Sequence, residues 1–251
     1  MSGMRPLAIV TGGIRRLGAE IAARLAYAGY DLALTSHTNG EPEPDLAGAL
    51  KSSGANWQCF GVDLTELSAP AQLMKNVIAH FGRSPDLLVN NAAMFGQDDW
   101  AAMDADTLDT HFRLNTFAPV LLSQALVKAA VEPVAIVHVI DQRVANPHPD
   151  QFSYTLSKQA LAASIRTMAT AFGNKARVNA VAPGLVIVTA DYAPGQSERL
   201  AAMMPLGALP DPQGVADAVV YLASARHVTG QIIFVDGGAH LKSFDRDFMY
   251  L

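Results

Sequence analysis

The sequence predicts an α/β fold: a doubly wound parallel sheet of about seven strands with helices on both faces, in a single domain over residues 1–251. Three observations predict it. Apolar runs of strand length alternate with helical patterns along the whole chain, the arrangement that buries a parallel sheet on both faces. No composition break, solenoid-period repeat or low-complexity stretch divides the chain. Thr11, Asp63, Asn91, Asp141 and Pro183 all fall at or just beyond the ends of apolar runs, and such sheets bind ligands beyond the carboxyl ends of their strands.

Residues 7–10 read as a buried strand, followed by the turn TGGIRRLG, residues 11–18, and an alanine-rich helix ending at Gly29. The second strand is 31–35. Residues 36–45, with Pro42 and Pro44, form a loop, and a short helix runs to Gly54. The third strand, 57–62, ends at Asp63, and a helix covers 67–81. The fourth strand, 87–90, runs into Asn91 and the small pair Ala92 and Ala93. A long helix spans 107–130, uneven near Pro119, since a proline ring interrupts helical hydrogen bonding. The fifth strand, 134–140, delivers Asp141, and a helix over 152–172 follows. The sixth strand, 178–181, leads to Pro183 and Gly184. Residues 185–209 lack clear periodicity, carry Pro194, Gly195 and Pro205, and hold a short helix near 197–204. Long irregular segments of this kind often cover an active site, so this one is expected to border the site and to move without ligand. Asp211 and Pro212 are a cap and a first-turn proline for a helix to Ala223. A last strand, 232–235, and a polar-aromatic tail, 243–251, close the chain.

Composition removes several classes of function. Half of the 251 residues are hydrophobic, enough for a sizeable core. A net charge of −5 argues against a nucleic-acid surface. Cys59 is the single cysteine, which leaves no disulfide framework or cysteine-rich metal site. The seven histidines are scattered, none placed like a zinc site, and no metal is expected. No apolar run approaches the ~20 residues of a membrane helix. The start, MSGMRPLAIV, has no signal-peptide pattern. The expected setting is cytoplasmic, with a small-molecule substrate and no membrane or nucleic-acid partner.

The chemistry gathers at residues 141–158. Tyr154 and Lys158 are four apart, so a helix puts them on one face. A phenol beside an ammonium is an acid–base pair, and the cation is expected to pull the tyrosine below its ordinary value of ~10. Asp141 stands at the end of the preceding strand; an aspartate there serves equally as a cap or turn former. In TGGIRRLG, Gly12 and Gly13 permit a tight turn, Gly18 permits close helix–strand packing, and the helix amino end offers N–H groups to a phosphate. An ordinary strand-to-helix turn is the other reading. Arg15 and Arg16 oppose the helix dipole, which an anionic ligand explains and simple solvation explains too. Phe95 fits a core position or a ligand contact. His138 reads as a satisfied core histidine, and the acids Asp98, Asp99, Asp104, Asp106 and Asp109 as a solvated helix start.

Taken together, Thr11, Gly12 and Gly18, the run Asn90-Asn91-Ala92-Ala93, Asn115, Tyr154 with Lys158, Pro183 with Gly184, and Asp236-Gly237-Gly238 resemble the short-chain dehydrogenase/reductase family over nearly the whole chain. The resemblance implies a Rossmann-type fold and a nicotinamide cofactor. Two departures matter. Arg16 replaces the family's middle glycine. Asp141 stands thirteen positions before Tyr154, where the family carries its catalytic serine. Both departures, with Phe95 after Asn91, resemble the pteridine reductases, including bacterial dihydromonapterin reductases. In contrast, Ala93 stands where those enzymes commonly place a serine, and Thr38 where they often have an arginine.

What this implies is an NADPH-dependent reduction of a dihydropterin. Asp141, Tyr154, Lys158 and Asn115 would be catalytic, with Lys158 also holding the nicotinamide ribose and Asn115 supporting a water relay beside it. NADP(H) would contact Gly12, Ile14, Arg15, Arg16, Leu17, His37, Asp63, Leu64, Asn91, Ala92, Ala93, Tyr154, Lys158, Pro183, Gly184 and Leu185. The substrate would meet Arg16, Phe95, Asp141 and Tyr154. An NAD-specific site usually ends its second strand in an acid; here Thr35, Ser36, His37, Thr38 and Asn39 stand instead, which points to NADP(H). By family analogy the assembly is a homotetramer. Open alternatives are a short-chain enzyme acting on a ketone or alcohol, and a non-catalytic NADP-binding regulator, against which an intact Tyr154 and Lys158 argue.

Overall fold

The structure, a computed structural model, describes residues 4–38, 40–190 and 192–251; Asn39 lies outside the described residues. In chain order the elements are β1 (Leu7–Val10), α1 (Arg16–Tyr27), β2 (Asp31–Ser36), α2 (Pro44–Ser53), β3 (Trp57–Gly61), α3 (Ala69–Phe81), β4 (Leu87–Asn90), α4 (Ala105–Phe112), α5 (Ala118–Ala129), β5 (Val134–Val139), α6 (Phe152–Phe172), β6 (Ala176–Pro183), α7 (Gln196–Met203), α8 (Pro212–Ser224) and β7 (Ile232–Val235). The strands form one parallel sheet in the order β3-β2-β1-β4-β5-β6-β7.

Side chains alternate across a strand, and β1 shows the result. Ala8 and Val10 pack with Ile21, Leu25, Leu46 and Val219 of α1, α2 and α8. Leu7 and Ile9 pack with Leu73, Val77, Leu122 and Ile165 of α3, α5 and α6 on the other face. All four strand residues are fully buried; each large apolar side chain so placed contributes roughly 1.5–3 kcal/mol. Because β1 lies between β2 and β4, the winding reverses at the β1/β4 boundary, and a crevice opens beyond their carboxyl ends. Thr11 and Asn91 meet there: Thr11 Oγ1 accepts from the Asn91 and Ala92 backbone N–H groups at 2.9 Å each.

The helix expected over 107–130 is two helices. α4 starts two residues early, capped by Asp104, whose carboxylate accepts from Thr107 N at 2.8 Å. The irregularity falls at Arg113–Phe117, a π-helical turn. Pro119 instead lies in the first turn of α5, where its missing N–H has no intrahelical role. Strand β6 is longer than expected because its polar residues find partners. Arg177 donates to the Leu222 and Ala223 carbonyls at 2.7 and 2.6 Å, and Asn179 Nδ2 to Val228 O at 2.9 Å.

Residues 185–209 have a small core of their own. Leu185, Leu200, Met203 and Met204 pack with Phe244, Phe248 and Leu251 of the tail. Gln196 Nε2 donates to the carbonyls of Phe248 and Leu251 at 2.9 Å each. No helix among the described residues is long and apolar enough to cross a membrane.

Candidate active site

The glycine turn forms one end of the site. Gly12 sits at φ +62, a left-handed conformation that only glycine adopts freely. A Cβ on Gly18 would lie 2.0 Å from Gly12 O and 2.7 Å from Asn91 Nδ2, so α1 and the turn touch with no room to spare. Gly12 N donates to Thr35 Oγ1 at 3.2 Å, and Asn91 Nδ2 donates to Thr11 O at 2.9 Å. Arg16 also has a positive φ, +52. The family's middle glycine needs no side chain here because the backbone is left-handed; an arginine holds that shape at a cost of roughly 1–2 kcal/mol, a strain of the kind found where function requires a position.

A cleft of about 690 Å³ runs from this turn along the sheet edge. Gly12, Ile14, Arg15, Arg16, Leu17, His37, Asp63, Leu64, Asn91, Ala92 and Ala93 all line it. Of the five residues expected to converge at the strand ends, Asp63 and Asn91 line this cleft and Thr11, Asp141 and Pro183 do not. Pro183, Gly184 and Leu185 do not line it; Val186 and Ile187 do. Gly184 is pressed against Asp236, 2.9 Å from where its Cβ would lie, and Leu185 turns into the core beneath α7. Thr35 and Ser36, at the end of β2, line the cleft too. Thr35 Oγ1 accepts from Gly12 N, and Ser36 Oγ donates to Thr38 O. His37 is exposed, 4.0 Å from Asp63. The Thr65 hydroxyl and backbone N–H hold the Asp63 carboxyl below its usual range. An acid that the sequence reading passed over, Glu43, accepts from Arg16 N through both carboxylate oxygens, at 3.1 and 3.0 Å.

Tyr154, Lys158 and Asp141 do not line this cleft; Tyr154 meets Phe95, the residue after the lining residue Met94. Helix α6 carries Tyr154 and Lys158, both buried. The Tyr154 hydroxyl donates to Asp141 Oδ2 at 2.8 Å. Asp141 caps the short 3-10 turn Gln142–Val144, accepting from Arg143 N at 2.9 Å. Lys158 Nζ donates to Val139 O at 2.8 Å and lies 5.8 Å from the Tyr154 ring centre. The expected lowering of the tyrosine is thereby corrected. Burial, then the Asp141 carboxylate, push the Tyr154 pKa well above 10 against the opposing pull of Arg143. Burial instead lowers Lys158 to about 8. Phe95 is about half exposed and meets Tyr154 edge to face, ring centres 4.9 Å apart.

Asn115 is fully buried in the π turn. Its Oδ1 accepts from Met94 N at 2.9 Å, and Nδ2 donates to Met94 O and Ser157 Oγ at 3.0 Å each. Both amide hydrogens are committed, so the side chain clamps the loop after β4 to α6. His138, buried in β5, is pushed down to about 3 by burial and stays neutral. The acids 98–109 are caps and pairs: Asp98 accepts from Ser153 N at the start of α6, and Asp109 pairs with Arg113. Arg143, absent from the sequence reading, is the residue the structure adds. It is buried, its guanidinium carbon stands 5.1 Å from the Tyr154 ring centre and 5.5 Å from that of Phe95, and its Nε donates to Asp141 Oδ1 at 3.3 Å. Burial alone would lower its pKa, but Asp141, Tyr154 and Asp247 together raise it. Its only sequence signal was its place two residues after Asp141.

A family model described as enoyl-(acyl carrier protein) reductase matches residues 12–240. The chain belongs to the short-chain dehydrogenase/reductase family. It is an oxidoreductase of that type. The chain is 31% identical to a ketoacyl reductase assigned to the granaticin polyketide synthase of Streptomyces violaceoruber, over 94% of this chain and 96% of that one. It is 29% identical to pteridine reductase 1 of Leishmania tarentolae, over 94% and 96%. Among solved structures, FolM alternative dihydrofolate reductase 1 from Brucella canis, complexed with NADP, superimposes with a TM-score of 0.86 at 35% identity, covering 94% of this chain and 95% of that one. In this chain the group on the tyrosine hydroxyl is a carboxylate, that of Asp141.

Proposed function

We propose that this short-chain enzyme is an NADPH-dependent reductase of a dihydropterin-type substrate, with Asp141, Tyr154 and Lys158 as its catalytic residues. The observation that carries this reading is the Asp141 carboxylate 2.8 Å from the Tyr154 hydroxyl. A serine there offers one neutral hydroxyl and suits a carbonyl oxygen. A pterin presents ring nitrogens and an amino group, and a carboxylate accepts from N–H groups or, protonated, donates. The pteridine reductase and FolM relatives support the same substrate class.

The cleft fits a dinucleotide: it encloses about 690 Å³ and opens against the glycine turn, with Gly12 and Gly18 in its lining. Bound there, NADPH supplies the hydride. The chain's own residues do the rest. Tyr154 holds the proton to be delivered, Asp141 orients that hydroxyl, and the buried Lys158 ammonium balances charge next to them. Phe95, edge-on to Tyr154, presents its open side to a planar ring. Holding these groups in place makes the transfer intramolecular in effect.

Two measurements test this. NADPH oxidation followed with dihydropterins and a carbonyl panel side by side should show pterin turnover foremost. Asp141→Ser should then depress dihydropterin reduction by at least roughly tenfold, a single charge-assisted hydrogen bond's worth, and leave NADPH affinity nearly unchanged. A native enzyme that prefers carbonyls, or a serine variant that reduces dihydropterins normally, replaces this reading with the carbonyl-reductase reading that the ketoacyl reductase relative favours. For cofactor choice, Arg15 and Arg16 are cations that line the cleft, with the His37 imidazole among the lining residues. Arg16→Ala is expected to weaken NADPH roughly tenfold and NADH far less, in paired titrations. Equal affinity of the native protein for both cofactors would count against the 2′-phosphate assignment.

A further inference from the structure

Arg143 is held from two sides. Its backbone N–H and Nε both donate to Asp141 Oδ1, at 2.9 and 3.3 Å, which leaves Oδ2 for the Tyr154 hydroxyl. On the far side, one terminal nitrogen donates to Asp247 Oδ2 at 2.7 Å and the other to Gln151 Oε1 at 3.0 Å. Asp247 belongs to the C-terminal tail, is itself buried, accepts from Met249 N at 2.9 Å and donates its own N–H to Asp150 at 2.7 Å. The last turn of the chain is thus tied to the proton donor through one arginine.

A guanidinium is a rigid fork of five donors that prefers to take a carboxylate by both oxygens. Gln151 and, at 3.4 Å, Thr155 hold only Nη1, so an Nη2 without Asp247 would join Nε on Asp141 in that bidentate pairing and compete with Tyr154 for Oδ2. Asp247 prevents this by taking the terminal nitrogen. We propose that Asp247, acting through Arg143, is a positioning residue that keeps Asp141 Oδ2 aimed at the Tyr154 hydroxyl. This rests on Asp141 and Tyr154 carrying the chemistry, not on the identity of the substrate.

The test is a double-mutant cycle on the full-length chain, using whichever of dihydropterin or carbonyl the native enzyme reduces best. Asp247→Asn should lower kcat roughly tenfold with the NADPH dissociation constant and the substrate KM within about twofold of native. In an Asp141→Ser background, followed at enzyme concentrations that resolve the residual rate, Asp247→Asn should cause no further loss, because no carboxylate remains to be aimed; groups that act through one another are non-additive. Asp247→Glu should restore most of the rate. Should Asp247→Asn fail to fold, Arg143→Lys carries the same cycle, since a lysine keeps the charge but cannot span both carboxylates. Equal losses in both backgrounds, or an unchanged kcat in the native background, overturn the proposal. Near-native turnover by Tyr154→Phe sinks the catalytic reading itself, so the two failures are told apart.

Discussion

Tyr154→Phe is expected to lower turnover by ~10²–10⁴-fold, the range that general acid catalysis supplies, and to leave NADPH affinity within about twofold of native. The geometry separates these two effects. The ring is buried and packed against Phe95, with the Arg143 guanidinium carbon 5.1 Å from its centre, and a phenylalanine ring keeps those contacts. What disappears is the hydroxyl that donates to Asp141 at 2.8 Å. Because burial and the Asp141 carboxylate hold the Tyr154 pKa well above its ordinary value, the side chain is a phenol throughout the neutral range, the form that can give a proton. The rate is therefore expected to lose no activity to Tyr154 ionisation up to and through the ordinary tyrosine range, near pH ~10. Single-turnover NADPH oxidation and fluorescence titration of the cofactor check the two halves separately. A phenylalanine variant that turns over near the native rate would make Tyr154 a packing residue.

Gly18→Ala is expected to damage cofactor binding more than folding. The new methyl would lie 2.0 Å from Gly12 O, a backbone atom that cannot rotate aside. The turn in turn is fixed by Thr35 and Asn91, so α1 and the turn must part. Overpacking of this kind costs about 1–3 kcal/mol, which in a chain of this size lowers Tm by about 2–4 °C per kcal/mol. The displaced N–H groups at the α1 amino end would lose charge-assisted bonds to the cofactor phosphates, and NADPH affinity should fall roughly 10- to 100-fold. Gly48→Ala in α2 is the control: nothing lies within 4 Å of its Cβ, and alanine is the better helix former. If Gly18→Ala binds NADPH as the native protein does, the turn is not where the phosphates rest.

The sequence by itself determined the parallel sheet and the alternation of its strands and helices along the chain. β1, β4 and β7 have the bounds their apolar runs predict, because a four-residue run closed by polar or glycine residues has only one way to be buried in a parallel sheet. Tyr154 and Lys158 were legible from helical spacing, and Asp141 from its distance to Tyr154. Only the tertiary structure decided how these groups behave. Sequence spacing suggested that Lys158 would lower the tyrosine, yet its ammonium is turned to Val139 O while burial and Asp141 dominate. The kink near Pro119 moved to Arg113–Phe117, where Asn115 and Thr116 reach Met94 and Ser157. Glu43 and Asp247 gave no local sign, for Glu43 lies 27 residues from Arg16 and Asp247 lies 104 from Arg143. Periodicity and spacing report which face of an element a residue occupies. Desolvation and the pairing of distant charges depend on what the rest of the chain brings against that face, and these set the state of the proton in this site.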